Sequence, residues 1–253
     1  MPLFSFNLDS FQITDTRSAH TDTDYASVAV KVGGNTPQTI TSPNLGNLNN
    51  GTFDIGLSCA GVTIDPDTPI VFNYLIVNSG SSTAAAVGLV LEEIGTRLAN
   101  GPTLNLPLFT SALSYVAAEY SAELNQIIKA GSCDGLVAAE QNTFTYGQLI
   151  GFISTSYSFA RPTVHKGGLN PHGCNSKTSQ YIANWSMAEV VSVPSSILNE
   201  RLGAAEQTLT NLQLMPKVVS GPNVANAYVC GAKPTYPVVH GQVQLTTSNT
   251  PCP

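Results

Sequence analysis

Charge is scarce in this chain. Only 10% of its 253 residues are Asp, Glu, Lys or Arg, and 10 basic residues stand against 16 acidic ones, for a formal charge of −6. No run of Lys and Arg occurs. Nothing can therefore track a phosphate backbone or dock on an anionic bilayer, which excludes nucleic acid as a partner class. Uncharged apolar stretches of 18 residues are also missing, so no spanning helix is expected. The opening residues Met-Pro-Leu-Phe-Ser-Phe-Asn have neither a basic nor an apolar signal-peptide region. Gly-x-Ser-x-Gly, His-Glu-x-x-His and phosphate-loop motifs are absent, which removes the common hydrolase and nucleotide signatures.

Hydrophobic residues make up 42% of the chain, which is ample for a core. The polar remainder is rich in Ser, Thr, Asn and Gly and holds the sequons Asn50-Gly51-Thr52 and Asn184-Trp185-Ser186. This composition points to a secreted protein whose signal has been removed, with a cytoplasmic location as the alternative. Of five cysteines at least one stays unpaired in a monomer. Cys230 and Cys252 flank a Pro-rich stretch and suit a clamp. Cys133 and Cys174 sit in Gly-flanked loops as a second pair, and Cys59 ends a strand pattern as a buried thiol.

Residues 3–77 alternate with period 2 and predict antiparallel strands. Phe4, Phe6, Leu8, Phe11 and Ile13 form one set, with Ala26, Val28, Val30 and Val32 in the next. Phe53, Ile55, Leu57 and Cys59 make a third. Ile70–Val77 is apolar on both faces except for Asn73, as a covered strand would be. A helix capped by Ser81 or Ser82 is expected to run to about Ala99, and a second from Pro107 to about Ala130. Residues 143–153 suit a strand or a short helix, 160–178 a loop, 179–193 a strand, and 195–214 a third helix. The expected fold is α+β: an antiparallel β-sandwich with an inserted helical hairpin at about 81–131 and a C-terminal helix. Residues 1–215 form its single domain, and 216–253 form an extended Pro-rich tail on the surface.

The densest concentration of charge is Asp15-Thr-Arg17-Ser-Ala-His20-Thr-Asp22-Thr-Asp24. Asp15, Asp22 and Asp24 on a strand-connecting loop are candidate ligands for calcium, whose hard cation takes carboxylate oxygens. The EF-hand pattern is absent, since Ala26 and Gly33 fall where it needs an oxygen ligand and a Glu. The plainer reading has Asp15 and Asp22 accept backbone N–H groups in a turn, with Arg17 paired to Asp24. A catalytic reading uses His20 as acid or base, Asp22 or Asp24 to orient it, and Arg17 to hold an anionic group. A second cluster, His165, His172 and Cys174 with Cys133 and Asp134, matches no common zinc spacing and reads as loop histidines beside a disulfide.

Tyr25, Tyr146 and Trp185 are candidate ligand-binding aromatics for a pocket between sheet and helices. The leading functional reading is a soluble protein binding a small molecule or carbohydrate at strand-end loops, with a possible calcium cofactor. An enzyme acting on a small organic substrate in an aromatic pocket is the alternative, with His20, Arg17, Asp22 and Asp24 as polar groups. A toxin-like, membrane-interacting protein using the uncharged stretch Ala84–Leu91 is the third.

Overall fold

The computed structural model describes residues 2–102, 104, 107–167, 173–175 and 178–252. It is mostly β, with 43% strand and 20% helix, and its sheets are largely antiparallel. The chain opens with β1 (Leu3–Asp15), β2 (Asp22–Val32), β3 (Gln38–Thr41), β4 (Asn47–Leu48), β5 (Gly51–Thr63) and β6 (Ile70–Asn78). Helices α1 (Ala84–Asn100), α2 (Leu113–Glu119) and α3 (Ser121–Leu124) follow. Next come β7 (Gly135–Phe144), α4 (Tyr146–Ile153), β8 (Ser158–Lys166) and β9 (Gln180–Val190). The last elements are α5 (Leu202–Asn211), β10 (Met215–Ser220), β11 (Tyr228–Lys233) and β12 (Gln242–Ser248).

One sheet has the order β5-β1-β9-β8; another runs β3-β2-β6-β7, with β4 paired to β2. Both give their inward, alternate residues to one buried cluster. Phe6 of β1 stacks on Phe72 of β6 with ring centroids 5.7 Å apart, and Phe72 meets Trp185 of β9 at 5.2 Å. Phe109, Phe144 and Phe159 close round the same indole. The outer face of the second sheet is covered by α1, whose Val87, Leu91, Ile94 and Leu98 are fully buried. At roughly 1.5–3 kcal/mol per buried side chain this stripe anchors the helix. The one polar residue that interrupts the apolar β6, Asn73, donates from Nδ2 to the Gly95 carbonyl of that helix at 3.1 Å.

Several sequence expectations need correction. Thr83, rather than Ser81 or Ser82, caps α1, accepting the Ala86 N–H at 3.3 Å. The Ser81 hydroxyl goes to Asp134 and that of Ser82 to the Ile127 carbonyl. The second helix is not continuous from Pro107. Ser111 forms a bridge with Glu140, and the Ala112 N–H bonds to the Ala139 carbonyl, so helix cannot begin before Leu113. Of the stripe that helical spacing puts on one face, Leu113, Val116, Tyr120, Leu124 and Ile127 are nonetheless buried, while Ile128 is half-buried and Ala117 is exposed. Of residues 143–153, the first two end β7 and Tyr146–Ile153 form α4, held by a capping box between Thr145 and Gln148.

The predicted loop at 160–178 begins as strand instead. Residues up to Lys166 belong to β8, an edge strand, where Pro162 has no inward ladder bond to lose. Residues from 216 are not simply an extended tail. β12 lies between β10 and β11, and its Val243 and Leu245 pack with Val229, Leu202 and Leu209 in a third buried cluster. Disulfides join Cys133 to Cys174 and Cys230 to Cys252, while Cys59 is a buried free thiol. No helix among the described residues is long and apolar enough to cross a membrane.

Trp185 is fully buried where the two sheets share their core. Trp185→Ala should lower unfolding free energy by about 3–5 kcal/mol in urea titrations, because the surrounding rings cannot collapse into the void.

Candidate functional site

The segment between β1 and β2 is organised by a buried carboxylate. Alternate residues of a strand share a face, so Asp22 and Asp24 both point inward from the start of β2, each with no exposed surface. Asp22 accepts the Arg17 N–H at 2.6 Å and the Ser18 N–H at 2.7 Å, which closes the turn. Asn78 Nδ2 donates to it at 3.1 Å from the end of β6, and the Tyr181 hydroxyl at 2.7 Å from β9. Asn78 also donates to the Cys133 carbonyl at 2.9 Å and accepts the Thr23 N–H at 2.8 Å. One side chain thus joins the turn to both sheets.

Asp24 lies beside the same phenol, with Tyr181 Oη 3.0 Å from its Oδ2. Burial, reinforced by the charge of Asp22, holds the Asp24 carboxyl well above the usual carboxylate range. The Tyr181 hydroxyl is within donating distance of both carboxylates, 2.7 Å from Asp22 Oδ2 and 3.0 Å from Asp24 Oδ2. Burial also raises the phenol of Tyr181, so it stays protonated.

Arg17 leaves the turn in the other direction. Its Nε donates to the Asp134 carbonyl at 3.0 Å, just before β7. Gly135 is the seat for the guanidinium: a Cβ there would lie 2.5 Å from Arg17 Nε. Burial pulls the guanidinium below its ordinary value, with the charges of Asp22 and Asp134 opposing. Arg17 lines a groove of about 490 Å³ whose floor is Leu113, Ala117, Leu124, Ile128 and Leu136, with Lys166 at its rim. Asp134 also lines it, yet its carboxylate is turned to the Gly80 N–H and the Ser81 hydroxyl.

The remaining sequence candidates are dispersed. His20 is exposed on the turn, while Asp22 and Asp24 face inward. Asp15 ends β1 in register with Gln180. Tyr25 is buried under α1 and its hydroxyl accepts from Asn44 at 3.0 Å. Tyr146 packs edge-on against Phe4 at 6.3 Å, and Trp185 fills the inter-sheet core. These three aromatics do not come together, and none lines the groove. Among the described residues, no group of three or more His, Cys, Asp or Glu side chains is placed to hold a metal ion.

A second polar cluster was not legible in sequence. His165, expected on an exposed loop, is fully buried on β8; His172 lies outside the described residues. His165 Nε2 is 2.8 Å from the Tyr74 hydroxyl, which donates to Glu140 at 2.6 Å. His165 Nδ1 is 2.7 Å from Ser111 Oγ. Asn142 Nδ2 donates to the other Glu140 oxygen at 2.6 Å. The residues come from β6, β7, β8 and the segment before α2, separations that carry no motif. The one hint in the sequence was four consecutive polar residues, Glu140-Gln141-Asn142-Thr143, after the apolar stretch from Leu136.

No protein-family model matches the chain, and no curated protein does.

The Asp22 and Asp24 roles separate by mutation. Asp22→Ala removes the acceptor shared by four donors, orphaning the Arg17 and Ser18 N–H groups, and should cost at least about 3 kcal/mol. Asp24→Asn keeps an N–H for Tyr181 and should cost under about 1.5 kcal/mol. The raised Asp24 value gives stability that is complete below the unfolded value of about 3.9 and falls as pH rises through the folded one. Thermal melts from pH 3.5 upward should show this decline in wild type and its loss in Asp24→Asn. Calcium or EDTA should leave both melting curves in place, since every Asp22 contact is already a protein donor.

Proposed function

We propose that the chain is a binding protein built on a two-sheet β-sandwich frame, and that it takes a small amphipathic anion in the groove between α2–α3 and the start of β7. The supporting observation is the charge arrangement over an apolar floor. Two of the chain's 10 basic residues, Arg17 and Lys166, meet at this groove in a protein of charge −6. The acidic residue that also lines it has its carboxylate oxygens engaged elsewhere. A carboxylate or sulfonate head set between the two cations would leave an apolar body on Leu113, Leu124 and Ile128. The volume of about 490 Å³ falls in the range of small-molecule sites. Arg17 presents a planar fork suited to an oxyanion, while Lys166 adds a point charge on a flexible stem.

The probe for this reading is 1-anilinonaphthalene-8-sulfonate, followed by its fluorescence on titration, with octanoate as a competitor. Saturable binding displaced by octanoate is expected. Lys166→Gln should weaken it about tenfold, equivalent to about 1.4 kcal/mol, without moving the melting temperature. Non-saturable fluorescence, or an affinity indifferent to Lys166→Gln, would overturn the proposal.

A further inference from the structure

The second polar cluster has a direction. Glu140, Tyr74 and His165 are fully buried, whereas Ser111 is half-exposed. Glu140 already receives the Asn142 amide on one oxygen, so Tyr74 donates its O–H to the other. The phenol oxygen then accepts the Nε2 proton of His165, which fixes the tautomer and leaves Nδ1 as an acceptor. Its neighbour at 2.7 Å is the Ser111 hydroxyl. The sequence Ser111 O–H to His165, His165 N–H to Tyr74, Tyr74 O–H to Glu140 uses each donor once and leads from the buried carboxylate to the half-buried Ser111.

The local backbone holds that atom in place. Ser111 bridges to Glu140 itself, so the first and last residues of the chain are also joined through the main chain. Two residues earlier, Phe109 adopts φ 65, a strained value for an aromatic residue, and its N–H donates to Asn142 Oδ1 at 2.6 Å. Asn142 is the same residue that donates to Glu140. The strained loop and the carboxylate are therefore fixed by one side chain.

We propose that Ser111 is a nucleophilic serine for small activated esters, primed by a neutral proton relay through His165 and Tyr74 to Glu140. In the first step Ser111 Oγ bonds to the ester carbonyl carbon. Its proton passes to His165 Nδ1, the Nε2 proton to Tyr74, and the phenol proton to Glu140. Collapse breaks the bond to the leaving alkoxide, which takes the proton returned along the same path. Water then attacks the acyl-serine, and its proton makes the same round trip, giving acid, alcohol and free Ser111. Burial brings the His165 value down to about 4, so the imidazole works by exchanging tautomers rather than by becoming a cation. Burial raises Glu140, against hydrogen bonds from Tyr74 and Asn142 and the nearby charge of Arg161, which suits it to take up a proton. This inference stands independently of the groove.

The test uses the intact protein with diisopropyl fluorophosphate, in which Ser111 Oγ would bond to phosphorus as fluoride leaves, and with p-nitrophenyl acetate turnover. Peptide mass spectrometry should place the adduct on Ser111, and Ser111→Ala should lose both adduct and turnover. Tyr74→Phe keeps the ring and breaks the relay, so the labelling rate should fall about 100-fold or more. Should that variant fail to fold, the wild-type pH profile decides. Labelling should rise as Glu140, flanked by Tyr74, His165 and Arg161, loses its proton and then level off. No adduct at Ser111, an equal rate in folded Tyr74→Phe, or a rate that merely climbs with hydroxide would each overturn the proposal.

Discussion

The carboxylate of Asp22 is the constraint on which the arrangement at this end of the molecule depends. Removing a carboxylate from water costs several kcal/mol unless donors replace the lost hydration. Here the donors come from three separated places: the turn at Arg17 and Ser18, the end of β6 at Asn78, and β9 at Tyr181. None of these can move without orphaning the carboxylate. The turn is therefore rigid without being rich in Gly or Pro. The start of β2 is fixed to β9, a strand of the other sheet, by a polar contact rather than by packing alone. Position here is bought with buried charge, and the apolar stack around Trp185 supplies the compensating burial.

Both polar clusters use a tyrosine hydroxyl as a coupler. A phenol is a donor and an acceptor on a large apolar ring, so it can carry a hydrogen bond into a dry core while the ring packs. Tyr181 stacks on Phe11 at 5.7 Å and couples Asp24 to Asp22. Tyr74 packs beside Phe72 and couples His165 to Glu140. The difference lies in how each chain ends. The Asp22 chain terminates on backbone N–H groups of a turn, which have no chemistry to perform. The Glu140 chain ends on the hydroxyl of a half-buried serine, Ser111.

Much of the β architecture was legible because its signal is local. Period 2 in Phe4–Ile13 and Tyr181–Met187 follows from burial on one face, and Ala26–Val32 alternates in sequence although β2 is buried on both faces. The two disulfides and the free Cys59 were also legible, from loop context and strand ending. Strands were missed where tertiary contacts override composition. β7 carries Glu140, Gln141 and Asn142, which look like a loop until their partners are known. Gln141 receives the Leu104 N–H and donates to the Leu98 carbonyl at the end of α1, and Asn142 holds Phe109. β8 was hidden by Pro162, which only an edge position tolerates. The acidic segment stands out in the sequence, yet Asp22 and Asp24 point inward, and direction is not encoded in spacing alone.

The same inward direction explains why the groove acquires its charge. A loop built to present Asp22 and Asp24 to a cation would have turned their oxygens outward and drawn Arg17 back to them. With the oxygens consumed by backbone and phenol donors, the Arg17 side chain is directed away, across the face of Gly135 to the Asp134 carbonyl. Asp134 lines the same groove, and its carboxylate oxygens accept from Gly80 and Ser81 at the entrance to α1 while its charge acts on Arg17. The placement of positive charge over Leu124 and Ile128 thus follows from two carboxylates that are fully occupied on the other side of the chain. A third link, Asn78, binds Asp22 and the Cys133 carbonyl together, so the disulfide-tethered 133–135 segment keeps its register with the turn. The buried anion and the open cationic groove are two faces of one hydrogen-bonded unit.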